Sequence, residues 1–372
     1  MQHYDYILVG CGFFSAVFAQ QAREHGKTCL IIERRNHIGG NCYSSDYEDT
    51  NINVHRYGTH IFHTNNQDIW DYINRFTEFN RYQHRVLTTH KNRVYAMPIC
   101  LGTINAFYNV NLKPHEVQAF LEEKIRPDFT ENPTNFEDKA INQIGRDLYE
   151  AFFKGYTMKQ WDCSPRELPA SIFNRLPIRE SFHDSYFNDR YQGIPIGGFT
   201  PIFERLIEGI PVELGVDFLE DPDYWKSHCG KLVYTGAIDR YFHYSEGHLN
   251  WRSVRFEYES HNLEDYQGTS VMNYADVEVP FTRIHEPKHL HLEKSHTPNR
   301  TVIIREYSKR DNEDPYYPVN STADKAIFAR YQELAAKEPR VLFGGRLAEY
   351  KYYDMHQVIG SALQKARVEL GR

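Results

Sequence analysis

The chain has 372 residues, of which 41% are apolar and 25% are charged, a composition typical of folded globular proteins and not of disordered ones. That length predicts about two or three lobes, enough to enclose a large ligand. The formal net charge of −7 argues against a nucleic-acid-binding surface, so a few local arginines would have to hold any phosphate-bearing ligand.

Cysteine usage and the N-terminal residues indicate the compartment. The six cysteines are scattered and none forms a C-x-x-C pair, which predicts structural thiols in a reducing environment. The first residues lead directly into an apolar run and lack the basic start and long apolar stretch of a signal peptide. Because no apolar stretch is long enough to cross a bilayer, we expect a cytoplasmic protein without a membrane partner.

The first predicted elements form a strand–helix–strand unit. Residues 4–9 are an apolar run typical of a buried parallel strand, residues 16–24 predict a helix, and residues 28–32 predict a second strand. A G-x-G-x-x-S turn over residues 10–15 joins the first strand to the helix. Such a unit is typical of dinucleotide binding, and the alternative is an ordinary glycine turn of an α/β protein.

The turn and the end of the second strand carry the candidate contacts. Gly10 and Gly12 allow a tight turn and the close approach of a pyrophosphate to the N-terminus of the helix. Ser15 replaces the third glycine of the fingerprint and is small enough for close packing between helix and strand. Glu33 stands about 20 residues further on, where a carboxylate can bind a ribose diol.

Two further glycine-rich passages predict that the dinucleotide is FAD. The E-R-x-x-x-x-G-G run over residues 33–40 resembles FAD-binding oxidases more than NAD dehydrogenases, with a flexible surface loop as the alternative. Near the other end, a strand over residues 341–343 leads through two glycines to Arg346 and a helix that starts near Asp354. If the chain binds a single FAD, its first and last segments must meet around that cofactor. The alternative roles are a surface ion for Arg346 and a simple cap for Asp354.

The middle of the chain predicts elements that interrupt the nucleotide-binding unit. Predicted helices cover residues 66–79, 101–123, 135–160, 167–176 and 324–337, and residues 191–208 start extended, turn at two glycines and end as a helix. Alternating apolar residues predict a hairpin over residues 85–97 and strands within 211–235, 249–283 and 301–306. The nucleotide-binding fold is therefore predicted to be split by a helical lobe and a sheet lobe.

Two groups of histidines raise the question of a metal site. His60 and His63 are three residues apart, but no third ligand follows at a recognisable zinc spacing. We expect them to face the core or the cofactor, and we predict no metal. His285, His289 and His291 have Lys and Pro neighbours and are predicted to lie in a solvated loop.

Arginines and aromatic residues recur together in the central region. Trp161 ends a predicted helix, Arg283 lies on a predicted strand, and tyrosine pairs follow near the C-terminus. Arginines can clamp a diphosphate bidentately, aromatic rings can stack on a base, and tyrosine hydroxyls can bind phosphate oxygens without adding charge. Each residue alone is more often structural, so the combination is what indicates a nucleotide ligand.

The most specific signal is a set of segments spread over nearly the whole chain: IERRNHIGGN, YGTHIFHT, LYEAFFKGYTMKQW, ELPASI, RLPIR, RYQGIPIGGFT, VPFTRI, PYYPV and FGGRLAEYKYYDMHQ. Together they resemble the bacterial UDP-galactopyranose mutases. This resemblance implies a flavin-dependent isomerase that interconverts UDP-galactopyranose and UDP-galactofuranose for polysaccharide biosynthesis, and it implies a homodimer.

The resemblance implies a reaction without net redox change. N5 of reduced FAD would attack C1 of the sugar, the ring would open through an iminium, and O4 would reclose it. An external reductant that the sequence does not identify would supply the electrons.

The implied α/β fold is a split Rossmann-like FAD-binding domain with an inserted helical lobe and an antiparallel β-sheet lobe. The predicted bounds are 1–80, 186–247 and 311–372 for the FAD-binding domain, 81–98 and 248–310 for the sheet lobe, and 99–185 for the helical lobe, with a mobile substrate loop near 163–178.

The same resemblance implies the site residues. The predicted substrate-binding residues are Phe152, Tyr156, Thr157, Trp161, Arg175, Tyr186, Arg283, Tyr317, Tyr352 and His84. The predicted cofactor-binding residues are Gly10, Gly12, Phe13, Phe14, Ser15, Glu33, Arg34, Gly40, Asn41, His60, Ile61, Arg346, Tyr352, Asp354 and Met355. The predicted catalytic residues are Arg175 and Arg283, which would stabilise the departing UDP, and His63.

Two positions depart from the family pattern. Phe281 stands where family members often carry Tyr, and His84 stands where they often carry Asn. Because His84 lies where the family contacts the nucleotide or sugar, UDP-N-acetylgalactosamine is a second candidate substrate. A flavin amine oxidase-like oxidoreductase, which would share the N-terminal fingerprint, and a non-catalytic protein that binds UDP-sugars and keeps FAD structurally are the competing functions.

Overall fold

The structure is a computed structural model, and it describes residues 2–175, 178–310 and 314–371, with the backbone alone for Asn174 and Arg175. The strands are β1 (Tyr4–Val9), β2 (Cys29–Glu33), β3 (Ser44–Asp46), β4 (Asn53–His55), β5 (Phe62–Thr64), β6 (Val86–His90), β7 (Arg93–Met97), β8 (Tyr191–Gly193), β9 (Val212–Leu214), β10 (Cys229–Tyr234), β11 (Trp251–His261), β12 (Val271–Tyr274), β13 (Arg283–His285), β14 (Thr301–Arg310), β15 (Tyr317–Pro318) and β16 (Val341–Phe343).

The helices are α1 (Phe13–Glu24), α2 (Gln67–Asn74), α3 (Leu101–Tyr108), α4 (Pro114–Ile125), α5 (Phe136–Ile144), α6 (Arg146–Tyr149), α7 (Gly155–Trp161), α8 (Thr200–Leu206), α9 (Pro222–Ser227), α10 (Ile238–Tyr241), α11 (Thr322–Ala335), α12 (Gly345–Ala348) and α13 (Met355–Glu369). None of the described helices is both long and apolar enough to cross a membrane.

A five-stranded parallel sheet joins the first and last parts of the chain. Its strand order is β16-β10-β1-β2-β9, so the N-terminal β1 lies beside β10 and one strand away from the C-terminal β16. The central strands are nearly continuous apolar runs, as strands covered on both faces require. On one face α1 and α13 pack against each other in the largest apolar core. The carboxyl ends of β1, β2, β10 and β16 therefore meet at one edge.

The second large sheet has seven strands in the order β15-β11-β14-β13-β12-β6-β7. Its pairs are antiparallel except for β6 and β12, which run parallel. The sequence predicted an antiparallel sheet lobe, and the one parallel pair arises because β6 belongs to a hairpin far earlier in the chain. A distant segment can add to a sheet in either direction, whereas a short connection enforces the antiparallel one.

The helical region is more broken than the sequence predicted. The predicted helix over 101–123 divides into α3 and α4, because Asn109 takes a left-handed conformation with φ of 54° and Pro114 starts the next helix. The predicted helix over 135–160 divides at Gly145, which has φ of 79°. Residues predicted as a helix from 167 onward form only short 3₁₀ turns around Pro169, which cannot donate a backbone hydrogen bond.

The histidine-rich segment after β13 is not a solvated loop. His285 and His291 are each 1% exposed, and Glu286 is fully buried. The prediction was wrong for these residues because β13, which ends at His285, pairs with a strand on each side, and because His291 packs edge-on against the buried His55. All six cysteines are free thiols, as expected.

Candidate active site

The first cavity has a volume of about 240 Å³ and lies at the carboxyl ends of β1, β2 and β10. Open parallel sheets bind nucleotides at this edge. The predicted cofactor-binding residues that line it are Gly10, Gly12, Phe13, Phe14, Glu33, Arg34, Gly40, Asn41, His60, Arg346 and Met355.

The glycines of the first turn are needed for different reasons. Gly10 has φ of +92°, and a methyl group there would lie 2.5 Å from Oγ1 of Thr235. A methyl group on Gly12 would meet no protein atom within 4 Å, so the space in front of Gly12 is open. Gly40 closes the turn from the other side, since its own methyl would lie 3.2 Å from Cα of Gly12. This cradle of bare backbone at the start of α1 fits a pyrophosphate.

Glu33 is buried at the end of β2, where backbone groups hold its carboxylate. The N–H of Cys11 donates to Oε2 at 2.7 Å, and the N–H of Arg35 donates to Oε1 at 2.9 Å. Each oxygen keeps a second lone pair that can accept a ribose hydroxyl. Asp314 accepts hydrogen bonds from Arg34 and Arg35, both at 2.9 Å, which ties the last part of the chain to this end of β2.

Several predicted cofactor contacts lie outside this cavity. Ser15 is fully buried within the packing of α1, and Ile61 packs into a small apolar cluster. Asp354 caps α13 together with Gln357, which is the simple capping role that the sequence left open. Tyr352 lines the second cavity instead.

Sequence reasoning missed the contribution of β10. Thr235 lines the first cavity directly after β10, and its hydroxyl donates to the carbonyl of Val9 at 2.6 Å. Asp217 and Arg240, 3.7 Å apart, line another part of the cavity. The available signal was an apolar strand followed by Thr-Gly-Ala, which could have been recognised as another strand-end turn.

The second cavity is larger, with a volume of about 760 Å³. It lies between the helical region and the seven-stranded sheet: α7 supplies one wall and β13 supplies Arg283 on the other. The predicted substrate-binding residues that line it are Phe152, Tyr156, Thr157, Trp161, Tyr186, Arg283, Tyr317 and Tyr352.

Arg283 is one of the cations that line this cavity. Its Nη2 donates to the hydroxyl of Tyr156, and its Nε lies 3.4 Å from Oε1 of the buried Glu306. Burial alone would raise the pKa of Glu306, but the charge of Arg283 and the hydrogen bonds from His285 and Thr282 hold that pKa at about 2. Glu306 is therefore an anion that keeps the guanidinium in place.

Hydrogen bonds from other residues hold the carboxylate of Glu306 in turn. Nε2 of His285 donates to Oε2 of Glu306 at 3.0 Å, since a carboxylate can only accept. The hydroxyl of Thr59 forms a hydrogen bond of 2.7 Å with Nδ1 of the same imidazole. Through Glu306, these contacts hold Arg283 in place, and the exposed part of its guanidinium faces the cavity.

The two cavities adjoin at the C-terminal segment. Tyr353 lines both of them. Tyr317 and Tyr352 stack with their ring centres 5.1 Å apart, and the guanidinium of Arg346 lies over both rings, at 5.5 and 5.6 Å. Arg346 also lines the first cavity, where burial and then its charge lower the pKa of His60 to about 4. Ligands bound in the two cavities would therefore come into contact at this junction.

The remaining predicted residues lie apart from the cavity linings. His63 stacks on Phe187 at 3.7 Å and bonds to Asp189 through Nδ1 at 2.6 Å. His84 is 6% exposed, and burial lowers its pKa to about 3, so it is neutral. The side chain of Arg175 lies outside the described residues, so its predicted role stays a prediction.

A second arginine in this cavity escaped the sequence analysis. Arg252 is 2% exposed and donates through Nε to the carbonyl of Gln160 and through Nη2 to the hydroxyl of Ser308, both at 2.9 Å. The alternation within WRSVRFEY, which places Arg252 on the same side as Val254, was the signal that it points inward.

These features define a class: a Rossmann-type protein in which a cradle for a dinucleotide cofactor adjoins a second cavity lined by aromatic rings and arginines. The family profile described as UDP-galactopyranose mutase matches residues 151–352, and the profile of an NAD(P)-binding Rossmann-like domain matches residues 8–76. The chain belongs to the UDP-galactopyranose mutase family, and it is therefore an isomerase with a flavin cofactor.

Individual relatives agree with this assignment. The chain is 41% identical to a probable UDP-galactopyranose mutase of Klebsiella pneumoniae, over 98% of this chain and 94% of the relative. It is 39% identical to the dTDP-fucopyranose mutase of Escherichia coli, over 97% of both chains. A crystal structure of reduced UDP-galactopyranose mutase superimposes with a TM-score of 0.76 at 13% identity, covering 100% of this chain and 94% of the other, which shows the fold. The predicted family and fold class are confirmed.

Proposed function

We propose that the chain binds reduced FAD in the first cavity and interconverts UDP-galactopyranose and UDP-galactofuranose where the two cavities meet. The reaction breaks the bond between C1 and the diphosphate, exchanges O5 for O4 in the ring and remakes the C1–diphosphate bond, with no net redox change. One observation carries the proposal: a partly buried cation, Arg283, lines the same cavity as the aromatic side chains of α7, and that cavity adjoins the glycine cradle.

The nucleotide is assigned to the wall formed by α7. Tyr156 and Trp161 offer ring faces for the uracil and ribose, and the hydroxyl of Thr157 offers a hydrogen bond. The diphosphate then falls between Arg283 and the stacked pair Tyr317 and Tyr352, whose hydroxyls add no charge. With the uracil at α7 and the diphosphate beside Arg283, the hexose would point toward Arg346 and the glycine cradle.

Arg283 acts where negative charge develops. When the C1–diphosphate bond breaks, the leaving UDP gains charge, and a preorganised guanidinium stabilises it without having to reorient. Glu306, which is itself buried, holds that guanidinium in place through an ion pair. Arg175 is proposed as the second cation of the clamp.

The glycine cradle, Glu33 and Arg346 would hold the cofactor. The chemistry that a reduced flavin supplies when bound is that of an electron-rich nitrogen nucleophile. His60 stays neutral above a pH of about 4, so it adds no charge beside the cofactor near neutral pH. His63 is proposed as a neighbour of the cofactor, oriented by its bond to Asp189.

The nucleotide and the hexose require a direct comparison, because a relative nearly as similar as the first is named for a dTDP-linked deoxysugar. Protein loaded with FAD and reduced with dithionite should be incubated with UDP-galactofuranose, with the dTDP-fucose isomers and with the N-acetylated UDP-sugar, and the products separated by chromatography. We expect UDP-galactofuranose to be converted fastest. Equal conversion with fully oxidised FAD, or none with reduced FAD, would refute the proposal.

The assembly and the lobes are part of the same proposal. We propose a homodimer, and we propose that the predicted split into a FAD-binding domain, a helical lobe and a sheet lobe describes the units that support the two cavities. Light scattering of the flavin-loaded protein would test the dimer, since a monomeric mass at micromolar concentration would contradict it.

A further inference from the structure

An ammonium group is enclosed by backbone carbonyls beside the second cavity. Lys159 lies on α7, and its Nζ is within hydrogen-bonding distance of four carbonyl oxygens: those of Tyr274 at 2.7 Å, Asp276 at 2.9 Å, Val279 at 3.0 Å and Phe281 at 3.1 Å. Tyr274 is the last residue of β12, and the other three lie in the connection from β12 to β13; this segment is here called the carbonyl loop (274–281). An ammonium has three N–H groups, so the four oxygens share them.

The carbonyl loop and α7 are in contact at a second point. A methyl group on Gly155, the first residue of α7, would collide with the carbonyl oxygen of Ala275 and lie 3.0 Å from Cγ2 of Val277. The helix backbone therefore rests directly on the loop, and the ammonium fastens it about one helical turn further along. Together these two contacts fix the distance between the helix and the loop.

This attachment joins the two sides of the proposed nucleotide site. Tyr156 and Trp161 flank Lys159 on α7, and Arg283 follows the carbonyl loop by two residues. Arg283 also donates to the hydroxyl of Tyr156 across the cavity. A change in the contact between the loop and α7 would therefore move Arg283 relative to Tyr156 and Trp161.

The surroundings of Lys159 allow its ammonium group to lose a proton at mildly alkaline pH. Burial lowers its pKa to about 8, while the carboxylates of Asp276 and Glu278 on the carbonyl loop oppose that shift. Asp276 also accepts hydrogen bonds from His90, at 2.6 Å, and from the N–H of Lys91, both at the β6–β7 turn. A neutral amine would offer two N–H groups to four carbonyls, without the charge that strengthens each bond.

We propose that Lys159 is a positioning residue for nucleotide binding: its ammonium fastens the carbonyl loop to α7 and so sets the separation of Tyr156 and Arg283 that a nucleoside diphosphate requires. This inference rests on the proposed function of the second cavity. It concerns how tightly the nucleotide is held, and no step of the chemistry at C1 uses Lys159 itself.

The test compares three variants with the wild type. Lys159→Met keeps the length of the side chain without its charge, Lys159→Arg keeps a charge that does not titrate, and Lys154→Met removes an exposed lysine paired with Glu150 on the preceding turn. The dissociation constant for UDP is measured on flavin-loaded protein by calorimetry, and kcat and KM are measured with reduced FAD.

We expect Lys159→Met to weaken UDP binding and to lower kcat/KM by about tenfold to a hundredfold, since displacements of about 1 Å have effects of that size. The loss should fall mainly on KM, the flavin absorption spectrum should be unchanged, and Lys154→Met should stay within about twofold of the wild type. Wild-type UDP affinity in a folded Lys159→Met variant would overturn the inference.

The pH dependence gives a measurement that does not need the Met variant to fold. Wild-type affinity for UDP should fall as the pH rises from about 7.5 to 9.5, and Lys159→Arg should not show that fall. The same decline in both proteins would assign it to another group and overturn the inference. Failure of the wild type to bind UDP at any pH would instead remove the proposed function of the cavity.

Discussion

Replacing Gly10 or Gly12 by Ala should separate what the fold needs from what the cofactor needs. At Gly10 the backbone has φ of +92°, and a methyl group would lie 2.5 Å from Oγ1 of Thr235. That hydroxyl is not free to turn away, because it donates to the carbonyl of Val9 at 2.6 Å. At Gly12 neither obstacle exists, since φ is −88° and no protein atom lies within 4 Å of the added methyl.

The expected magnitudes follow from these contacts. A side chain in left-handed backbone costs about 1–2 kcal/mol, and losing the Thr235 hydrogen bond costs about 1 kcal/mol more. Gly10→Ala should therefore lower the free energy of unfolding of the cofactor-free protein by about 2–3 kcal/mol. At about 2.1 cal/mol/K of unfolding entropy per residue over 372 residues, this corresponds to a drop of roughly 3–4 °C in Tm. Gly12→Ala should change the stability by less than about 0.5 kcal/mol.

Cofactor affinity should follow the opposite order. The methyl group on Gly12 points into the cradle, so Gly12→Ala should weaken FAD binding on the order of a hundredfold or more by blocking the approach of the pyrophosphate. Thermal melts of the cofactor-free proteins and FAD titrations followed by flavin fluorescence measure the two effects separately. Wild-type FAD affinity in Gly12→Ala, or an unchanged melt of cofactor-free Gly10→Ala, would refute the reasoning.

Further predictions concern the second cavity. Arg283→Met should lower kcat/KM for UDP-galactofuranose by about a hundredfold or more while FAD still binds, and near-wild-type turnover would contradict its role. Glu306→Gln should lower the free energy of unfolding by about 3 kcal/mol in denaturant titrations, because it leaves Arg283 without a counter-ion. The pKa of Glu306 is about 2 in the folded protein against an ordinary 4.5, so its contribution, about 3 kcal/mol, is complete above pH 4.5 and declines as the pH falls toward 2. Glu306→Gln should lack that acid-dependent loss, and an identical decline in both proteins would contradict the assignment.

The cradle could be predicted because its signals are local. The turn after β1 and the acidic residue ending β2 lie within one strand–helix–strand unit, and the sequence alone placed Gly10, Gly12 and Glu33 together. The aromatic side chains of α7 that line the second cavity were predicted by family resemblance, since helical spacing on its own does not distinguish Tyr156 from an ordinary core residue.

The contacts behind Arg283 could not be predicted in the same way. Thr59, His285 and Glu306 come from three distant segments, and only the pairing of β13 with β14 brings two of them together. The helix breaks had visible causes, such as Pro114, but a left-handed Asn109 depends on tertiary packing that propensity does not report.

The parallel sheet has a consequence for how the protein is made. β16 and Arg346 come from the C-terminal part of the chain, yet they complete a cradle that begins at residue 10. During translation the nascent polypeptide cannot finish this edge of the sheet until residue 346 has left the ribosome. A prematurely terminated product that stops short of β16 would therefore lack one strand of the parallel sheet and the arginine that lines the cofactor cavity.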